Sequence, residues 1–585
     1  MQQQPERYIH DVIASPGYLP DETPREHLQR RQSYQTLRTR LAGGEITNID
    51  DFITHNLHIN RLAIDAIYAL EDAEQLQDCY EQLMHITILD PTCGSGAFLL
   101  AALRILHPLY EACLDRQQGL NASQAPENAI RVQKSLSHYE VIRTIITRNL
   151  YGIDIMEEAT EICKLHLFLK LIAQVKCVEE LEPLPNIDHN ILAGNTLVEM
   201  GRSDFSSPQE LLTTQQQASR TTEARWQIAF KDILQRGGFT IIIGNPPYVE
   251  YNEQTFPYAL KHFNTRGCAN LYTCVVERSR QLLAPQGRHG MILPLAAFAT
   301  RNMQPFLSAF RSWFPVTWLS FYHFRPSMLF SGGKIASIPT AIYLAKTEGS
   351  ERRYSTHLMK WAQEQRPLLF TRFSYHAIHA PEDPLNRHYY PKLNQSCEDN
   401  ILTRLLAHQP VSRYISRIPN ANTMFYRTAG GLYWKVFVNF PWPYHTTSNK
   451  QCFFQPDFER DVFVALFNSS LFWWYYTVTF DTFNLKDYML FGFRFTYPEQ
   501  TELIQALREQ SSRLMEDFSR YARHLKRGQT GSYTIYARKS KPIIDAIDEI
   551  LARHYGFSQQ ELDFIVNYDI KYRMGLAQLL EGAEE

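Results

Sequence analysis

The sequence of 585 residues lacks the features that would place it in a membrane, outside the cell or among zinc proteins. Its 9 cysteines never occur as CxxC, and none lies in a cysteine and histidine cluster with zinc-ligand spacing, so we predict no metal site. The N-terminus has no signal-peptide core, and no later stretch approaches the roughly 20 apolar residues of a membrane span. We therefore expect a soluble protein of the reducing cytoplasm, with no membrane contact.

An excess of one charge is also missing. The 59 lysines and arginines nearly balance 61 aspartates and glutamates, so binding of nucleic acid would depend on local basic patches. Apolar residues make up 44% of the chain and charged residues 21%, which is a globular balance. The length predicts two or more domains.

Short apolar runs alternate with helical patterns between residues 86 and 344, which is typical of a mostly parallel sheet covered on both faces. The candidate strands are Ile86 to Leu89, Asn149 to Ile153, Asn190 to Ala193, Phe239 to Ile243, Gly290 to Pro294, Thr317 to Tyr322 and Ile338 to Leu344. The fold class predicted is therefore α/β.

The chain divides into three parts by composition. Residues 1–55 are polar and predict an irregular or loosely helical lead-in, and residues 56–348 predict the α/β domain. Within that domain, the polar residues 201–238 predict a surface insertion carrying one helix. Residues 349–585 lose the alternation, are rich in aromatic residues, and predict a mixed α+β region with a helical C-terminus.

A glycine-bearing turn follows the first candidate strand, in the segment ILDPTCGSGAF of residues 88–98. Gly94 and Gly96 would let the backbone approach a ligand, and the following helix would direct its amides toward it. Asp90 is placed to bind the charged amino-acid end of a cofactor. A turn of this kind also serves ordinary packing of a helix on a strand, so it is weak evidence alone.

Two further polar residues end the next two candidate strands. Asp154 follows a strand at a position where a carboxylate can accept two hydrogen bonds from ribose hydroxyls, and Asn195 could read an adenine edge with its amide. The candidate cofactor-contacting residues are Asp90, Pro91, Cys93, Gly94, Gly96, Phe98, Asp154, Ile155 and Asn195.

The segment FTIIIGNPPYVEY places Asn245, Pro246, Pro247 and Tyr248 directly after a strand. A turn closing a buried strand is the plain explanation, but its position after both cofactor elements favours a catalytic role. With DPTCGSGAF, GIDI and AGN, this loop resembles the N6-adenine-specific DNA methyltransferases of restriction-modification and phage-defence systems. The resemblance covers roughly residues 55–345.

The resemblance implies a class I, Rossmann-like methyltransferase domain with a seven-stranded sheet, and S-adenosyl-L-methionine as cofactor. The Asn245 side-chain oxygen and the Pro246 carbonyl would accept hydrogen bonds from both N–H groups of the target amine, because its delocalised lone pair makes it a poor nucleophile. Pro247 would help to hold these acceptors rigid, and Tyr248 would stack on the flipped base. Phe330 matches the aromatic residue that stacks on the opposite face, although a plain core role is an alternative.

Double-stranded DNA is the partner that this resemblance implies, in the cytoplasm and at the nucleoid of a prokaryote. The sequence contains no convincing PD…(D/E)xK nuclease pattern, so any nuclease, helicase or specificity subunit would be a separate chain. Residues 349–585 would then carry target recognition.

A basic cluster without an intervening acid lies near the end of the chain and could neutralise DNA phosphates. It consists of Arg520, Arg523, Lys526, Arg527, Arg538, Lys539 and Lys541. A solvated helix face explains such a run equally well, and the aromatic residues Trp473 to Tyr476 fit a domain core as well as a base-binding surface.

Two other functions stay open. A methyltransferase acting on an RNA base or on a glutamine amide of a protein could use the same loop, although the long C-terminal region argues against it. A non-catalytic DNA-binding or cofactor-sensing component is the second alternative, and intact Asp90, Asp154 and Asn245 argue against that.

Overall fold

The computed structural model of the chain describes residues 2–124, 138–175, 183–198, 225–252, 254, 256, 258, 260–330, 338–431, 433–527 and 530–575. Most of the predicted insertion, residues 199–224, lies outside the described residues, as do residues 331–337 of the segment that follows Phe330. The side chains of Lys526 and Arg527 are also outside that description.

A nine-stranded sheet forms the centre of the fold, in the order β3-β2-β1-β4-β5-β7-β6-β8-β9. Its strands are β1 (Ile88–Asp90), β2 (Leu150–Asp154), β3 (Ile191–Ala193), β4 (Phe239–Gly244), β5 (Leu283–Pro294), β6 (Val316–Tyr322), β7 (Thr340–Lys346), β8 (Arg352–Met359) and β9 (His376–Ala377). The five neighbouring strands β3, β2, β1, β4 and β5 are parallel to one another. Strand β7 lies between β5 and β6 and runs antiparallel to both. The first five strands have the doubly wound order of nucleotide-binding α/β folds.

All seven candidate strands are present, which confirms the α/β class and the mostly parallel sheet. The sheet continues beyond them, because β8 pairs in parallel with β6 and β9 pairs with β8. The domain boundary expected at residue 348 therefore falls inside the sheet.

Helices cover both faces of this sheet. Those up to residue 313 are α1 (Asp11–Ala14), α2 (Pro24–Ala42), α3 (Ile49–Thr54), α4 (Ile59–Tyr68), α5 (Ala73–His85), α6 (Ala97–Gln124), α7 (His138–Thr144), α8 (Glu157–Ile172), α9 (Arg225–Ala229), α10 (Lys231–Gln235), α11 (Leu271–Leu282), α12 (Ala296–Ala299) and α13 (Gln304–Trp313). The side chains of β4 alternate between two apolar clusters on opposite faces of the sheet. Ile241 and Ile243 pack on one cluster, and Ile242 is buried in the other. This alternation explains why the buried strands are apolar on both faces.

The C-terminal region forms a second, antiparallel sheet, a hairpin and eight helices among its described residues. The sheet has the order β10-β13-β11-β12, from β10 (Ile415–Ser416), β11 (Thr423–Arg427), β12 (Phe437–Val438) and β13 (Asn449–Phe454), and the hairpin joins β14 (Ala522–Arg527) to β15 (Thr530–Ile535). The helices are α14 (Ser396–Leu406), α15 (Arg460–Asn468), α16 (Ser470–Thr479), α17 (Asp487–Phe491), α18 (Thr501–Arg520), α19 (Lys541–Tyr555), α20 (Gln559–Asn567) and α21 (Ile570–Met574).

One apolar cluster runs through both regions. It extends from Leu89 and Ile153 in the large sheet to Leu551 and Ile565 near the end of the chain. The four aromatic residues from Trp473 to Tyr476 are all buried in it, so they form core and not an exposed base-binding surface. The two regions therefore share a continuous core.

The N-terminal lead-in is more ordered than its composition predicts. Helix α2 begins with a capping box, in which Thr23 and Glu26 each bond the other's backbone N–H. Arg30 is buried, donates to both carboxylate oxygens of Glu22, and donates to the carbonyl oxygens of Ser15 and Gly17 at 2.6 Å. A buried ion pair with carbonyl partners, which sequence periodicity does not reveal, fixes this segment.

Helix α6 bears on the membrane expectation. Its segment Ala97–Leu120 is long enough to cross a membrane. It also contains a stretch with a mean hydropathy of 1.4, as apolar as a membrane-crossing helix. The expectation that no stretch approaches a membrane span is wrong for this helix by those two measures. Its residues Leu99, Leu103 and Tyr110 are buried beside β1 and β2, and a core helix meets the same measures.

Asn149 joins three elements around the start of β2. Its fully buried amide donates to the carbonyl oxygens of Leu83 at 2.8 Å and Ile86 at 2.7 Å, and its oxygen accepts the Tyr110 hydroxyl at 3.0 Å. These bonds tie α5, α6 and β2 together, and β2 carries Asp154.

We expect Asn149→Ala to lower the free energy of unfolding by about 3 kcal/mol, because two carbonyl groups and one hydroxyl lose their partner in the core. Tyr110→Phe removes only one of these bonds and should cost about 1 kcal/mol. Chemical denaturation followed by tryptophan fluorescence compares the two. Equal losses would show that the Asn149 bonds to the carbonyl groups contribute nothing.

Candidate active site

The predicted motifs meet at the carboxyl edge of the large sheet. Asp90 pairs in register with Gly152 on the neighbouring strand, and Asp154 pairs with Ala193, two residues before Asn195. Strand β4, on the other side of β1, ends at Gly244, so Asn245 begins the loop at the same edge. Parallel strands end together, and this brings residues far apart in the sequence into one site.

The turn after β1 is held by its neighbour β2. The Cys93 N–H donates to the Ile153 carbonyl at 2.9 Å, and the Gly94 N–H donates to Asp154 Oδ2 at 2.9 Å. Gly94 has a φ of +52°, and a Cβ placed there would meet no atom within 4 Å. The turn therefore presents a bare stretch of backbone with open space beside it, as an approaching ligand requires.

Gly96 has a different role in the same turn. Its φ is +86°, and a Cβ would lie 2.4 Å from Cys163 Sγ on α8. Glycine is needed here because α6 begins in close contact with α8, and a contact of Gly96 with a cofactor stays a prediction.

Asp90 is 1% exposed at the end of β1. Its Oδ1 accepts the Thr92 N–H at 3.1 Å, and a Cβ on Gly244 would lie 2.8 Å from the same oxygen. Burial raises the pKa of Asp90 to about 7, with a smaller contribution from the charge of Asp154, while the Thr92 hydrogen bond opposes the shift. A carboxyl group kept at this cost in stability is typical of a functional site.

Asn195 presents an unused donor to the site. Its side chain is buried and its Oδ1 accepts the Leu197 N–H at 3.0 Å, whereas Nδ2 has no hydrogen-bond partner among the described residues. Its carbonyl oxygen accepts the indole N–H of Trp226 at 3.1 Å, and Thr196 donates to the Pro91 carbonyl at 2.6 Å. The loop is fixed on both sides, so this donor is held in place.

Asn245 presents an unused acceptor on the neighbouring loop. Its Oδ1 is buried and accepts no hydrogen bond within the described part of the chain, and Pro246 after it is buried. A buried amide oxygen without a partner costs stability, which an exocyclic amine in the site would offset.

Tyr248 is fixed in one orientation. Its hydroxyl donates to the Ile292 carbonyl on β5 at 3.0 Å, and its ring packs edge-to-face on Tyr272 with centroids 6.1 Å apart. Burial raises the pKa of Tyr248, so the hydroxyl stays protonated as a donor. Tyr272 was not foreseen, and its spacing within the apolar face of α11 is the signal that could have identified it.

The remaining cofactor candidates differ in exposure. Ile155 is 64% exposed directly after Asp154, an apolar surface that could contact a planar ring. Phe98 is half-buried, and Pro91 and Cys93 are buried. The Cys93 side chain packs beside Gly152, where a Cβ would lie 2.9 Å from its sulfur, so it fills the interior under the turn.

Phe330 is half-buried and packs on an apolar cluster that contains Tyr322, Leu329 and Trp361. Ile292, whose carbonyl holds Tyr248, packs on the same cluster. Phe330 thus packs on the same cluster as the residue that holds Tyr248, and its stacking role stays a prediction.

The basic cluster extends from the end of α18 through the β14–β15 hairpin and the helical turn after it to the start of α19. The described side chains of Arg520, Arg523, Arg538 and Lys539 are exposed, and Lys539 lies over the Tyr521 ring at 4.9 Å. Lys541, in contrast, is buried and paired with Asp545, which removes it from the cluster. A role of the exposed residues in DNA binding stays a prediction.

Trp226 is a second residue that sequence reasoning missed. Residues 201–238 were expected to lie on the surface, yet Trp226 and Phe230 are buried, with exposed fractions of 1% and 0%. Their spacing of four residues in WQIAF is the signal of a core-facing helix that could have revealed them.

The chain is similar in sequence to known proteins. Residues 148–321, from the start of β2 to β6, match the family described as Eco57I restriction-modification methylase. The type II restriction enzyme and methyltransferase RM.Eco57I of Escherichia coli is 28% identical over 244 residues, which are 39% of this chain and 22% of that protein. The adenine-specific methyltransferase PglX of Streptomyces coelicolor is 27% identical over 206 residues, 34% of this chain and 14% of that protein.

Among solved structures, the type IIL restriction-modification enzyme MmeI in complex with DNA has a TM-score of 0.49 and 12% identity, covering 89% of this chain and 76% of that chain. The sequence matches to the family and to RM.Eco57I confirm the resemblance to restriction-modification methylases that the motifs predicted. The matched region spans less than a quarter of the length of either curated relative.

Asp90 provides a test that depends on stability alone. Its folded pKa of about 7 lies above the unfolded value of 3.8, so the folded state loses stability as pH rises from about 4 to about 7. We expect Asp90→Asn to raise the free energy of unfolding at pH 8 by roughly 2 to 4 kcal/mol and to have little effect at pH 4.

Asp154→Asn is the matched comparison. Asp154 accepts the N–H groups of Gly94 and Met156 with its two oxygens, and an amide nitrogen cannot replace either acceptor. This variant should lower the free energy of unfolding at pH 8, whereas Asp90→Asn should raise it. Thermal unfolding at both pH values measures the effects, and destabilisation by Asp90→Asn at pH 8 would contradict the burial argument.

Proposed function

We propose that this chain is a DNA methyltransferase that transfers a methyl group from S-adenosyl-L-methionine to N6 of a flipped-out adenine. The observation that carries the proposal is a pair of unused amide groups at one edge of the sheet: the Asn195 donor and the Asn245 acceptor. The first is suited to read the cofactor, and the second is suited to hold the target amine.

The chain's own residues fit the cofactor. The bare backbone at Gly94 leaves room for it, Asp90 would hold its ammonium group, and Asp154 would accept hydrogen bonds from its ribose. Asn195 Nδ2 would donate to its adenine ring, against which the exposed Ile155 would pack. When bound, the cofactor supplies an electrophilic methyl group on a sulfonium centre.

The amine of adenine needs no general base in this arrangement. Asn245 Oδ1 and the Pro246 carbonyl would accept hydrogen bonds from its two N–H groups and direct the nitrogen lone pair outward, toward the cofactor. When the nitrogen gains the methyl group, the proton that it loses would pass to solvent. Tyr248 is already held by Ile292 and Tyr272, so its ring would stack on the base without further ordering cost. Phe330 would contact the other face.

Adenine in DNA is the target that the relatives favour. The name of PglX specifies adenine, and both the matched family and RM.Eco57I are restriction-modification enzymes. The exposed basic residues of the β14–β15 hairpin and of the turn after it, Arg523, Arg538 and Lys539, would contact phosphates. A separate nuclease, helicase or specificity subunit would complete a restriction or defence system in the prokaryotic cytoplasm.

Methyl transfer from labelled S-adenosyl-L-methionine to DNA, RNA and protein tests the proposal directly. We expect label in DNA at adenine N6, and label only in RNA or in a glutamine amide would overturn the choice of substrate. Asn245→Ala should lower the rate by about 100-fold or more, because it removes an acceptor for the amine. Asn245→Asp retains an acceptor oxygen and should keep part of the activity.

Two controls separate catalysis from folding. Asn400→Ala removes an exposed asparagine on α14, far along the chain from the site, and should leave the rate unchanged. Cofactor affinity, measured by calorimetry, should change little in Asn245→Ala and fall in Asn195→Ala. Full methyl transfer by Asn245→Ala would refute the mechanism.

A further inference from the structure

Two histidines and a glutamate meet on the outer side of α6, away from the carboxyl edge of the sheet. His107 and Glu111 are one helical turn apart on α6, and His138 is the first residue of α7. His107 Nε2 lies 3.4 Å from Glu111 Oε1, and His138 Nδ1 lies 2.5 Å from the same oxygen. All three ligand atoms lie within 4.8 Å of one another.

The spacing of these atoms suits a first-row divalent metal. Ligand bonds of about 2.0 to 2.2 Å in a tetrahedral site place neighbouring ligand atoms about 3.3 Å apart. The His107 and Glu111 atoms already have that separation, and the His138 atom lies closer to the same Glu111 oxygen, at 2.5 Å. The two imidazole rings have centroids 6.1 Å apart and planes 66° apart, so they are not stacked on each other.

His107, one of the three residues, has a buried ring nitrogen that lacks a hydrogen bond in the described part of the chain. His107 Nε2 is a buried atom without a hydrogen-bond partner among the described residues, although Glu111 lies within reach of it. A metal ion would give this nitrogen a partner and would use the Glu111 carboxylate that faces both histidines.

The surroundings of the cluster add negative charge. Asp115 lies one turn beyond Glu111 on α6 and accepts the Tyr68 hydroxyl at 3.3 Å. The pKa of Tyr68 is raised by burial and then by the charges of Asp115 and Glu111. Negative potential of this kind favours a cation.

We propose that His107, Glu111 and His138 form a binding site for a divalent transition metal of the Zn²⁺ type, with at least one position left to water. The site does not depend on the proposed function. It joins α6, which follows the turn of Gly94 and Gly96, to α7, which leads into β2 and Asp154. A metal at this point fixes the two segments on which the turn and its carboxylate partner are built.

Binding of Zn²⁺ and Co²⁺ to the full-length protein, stripped with a chelator, tests the proposal. Calorimetry should give one saturable Zn²⁺ site, and Co²⁺ should give the visible absorption of a tetrahedral complex. Both signals should weaken below about pH 6, because histidine must lose its proton to bind metal. Zn²⁺ should also raise the Tm of the wild-type protein by about 2 °C or more.

His138→Gln is the central variant, because this side chain is 64% exposed and its replacement leaves the fold intact. We expect it and Glu111→Gln each to weaken Zn²⁺ binding at least about tenfold and to remove the shift in Tm. His85→Gln changes an exposed histidine on α5 outside the cluster and should bind Zn²⁺ like the wild type. Equal affinity in wild type and His138→Gln, or no saturable site, would show an ordinary hydrogen-bonded trio and overturn the proposal.

Discussion

The hydrogen bond from the Gly94 amide to the Asp154 carboxylate is the contact on which the site depends. It joins the turn after β1 to the end of β2, and the bond from Cys93 to Ile153 reinforces it one residue earlier. Asp154 therefore shapes the turn with the same carboxylate that a ligand would meet. Each element positions the other, so the glycine turn and the acid form one structural unit.

The sequence allowed the large sheet and its carboxyl edge to be predicted, because buried parallel strands are short apolar runs with polar residues at their ends. Asp90, Asp154, Asn195 and Asn245 were identified by that position. Strand β8 was missed, since its segment RRYSTHLM mixes charged and apolar residues near the sheet edge. The ordered N-terminal segment was missed because the buried pair of Arg30 with Glu22 looks polar in the sequence.

Residues that hold the site loops in place could not be predicted from the sequence either. Trp226 holds the Asn195 loop through a single bond to a carbonyl oxygen, which no motif records. The spacing of cysteines and histidines in the sequence does not indicate the trio of His107, Glu111 and His138, because two of its members lie on one helix and the third lies on another. Contacts between elements, unlike strand ends, leave little trace in one sequence.

The apolar cluster that runs from Leu89 to Ile565 has a consequence for how such a protein can diversify. A region that completes the core of its neighbour cannot be exchanged as a module, since the cut would expose buried aromatic residues such as Trp474 on both sides. Variation has to occur in side chains and loops above that core. The chain is therefore suited to gradual change of its surface on a fixed frame, and poorly suited to shuffling of whole segments.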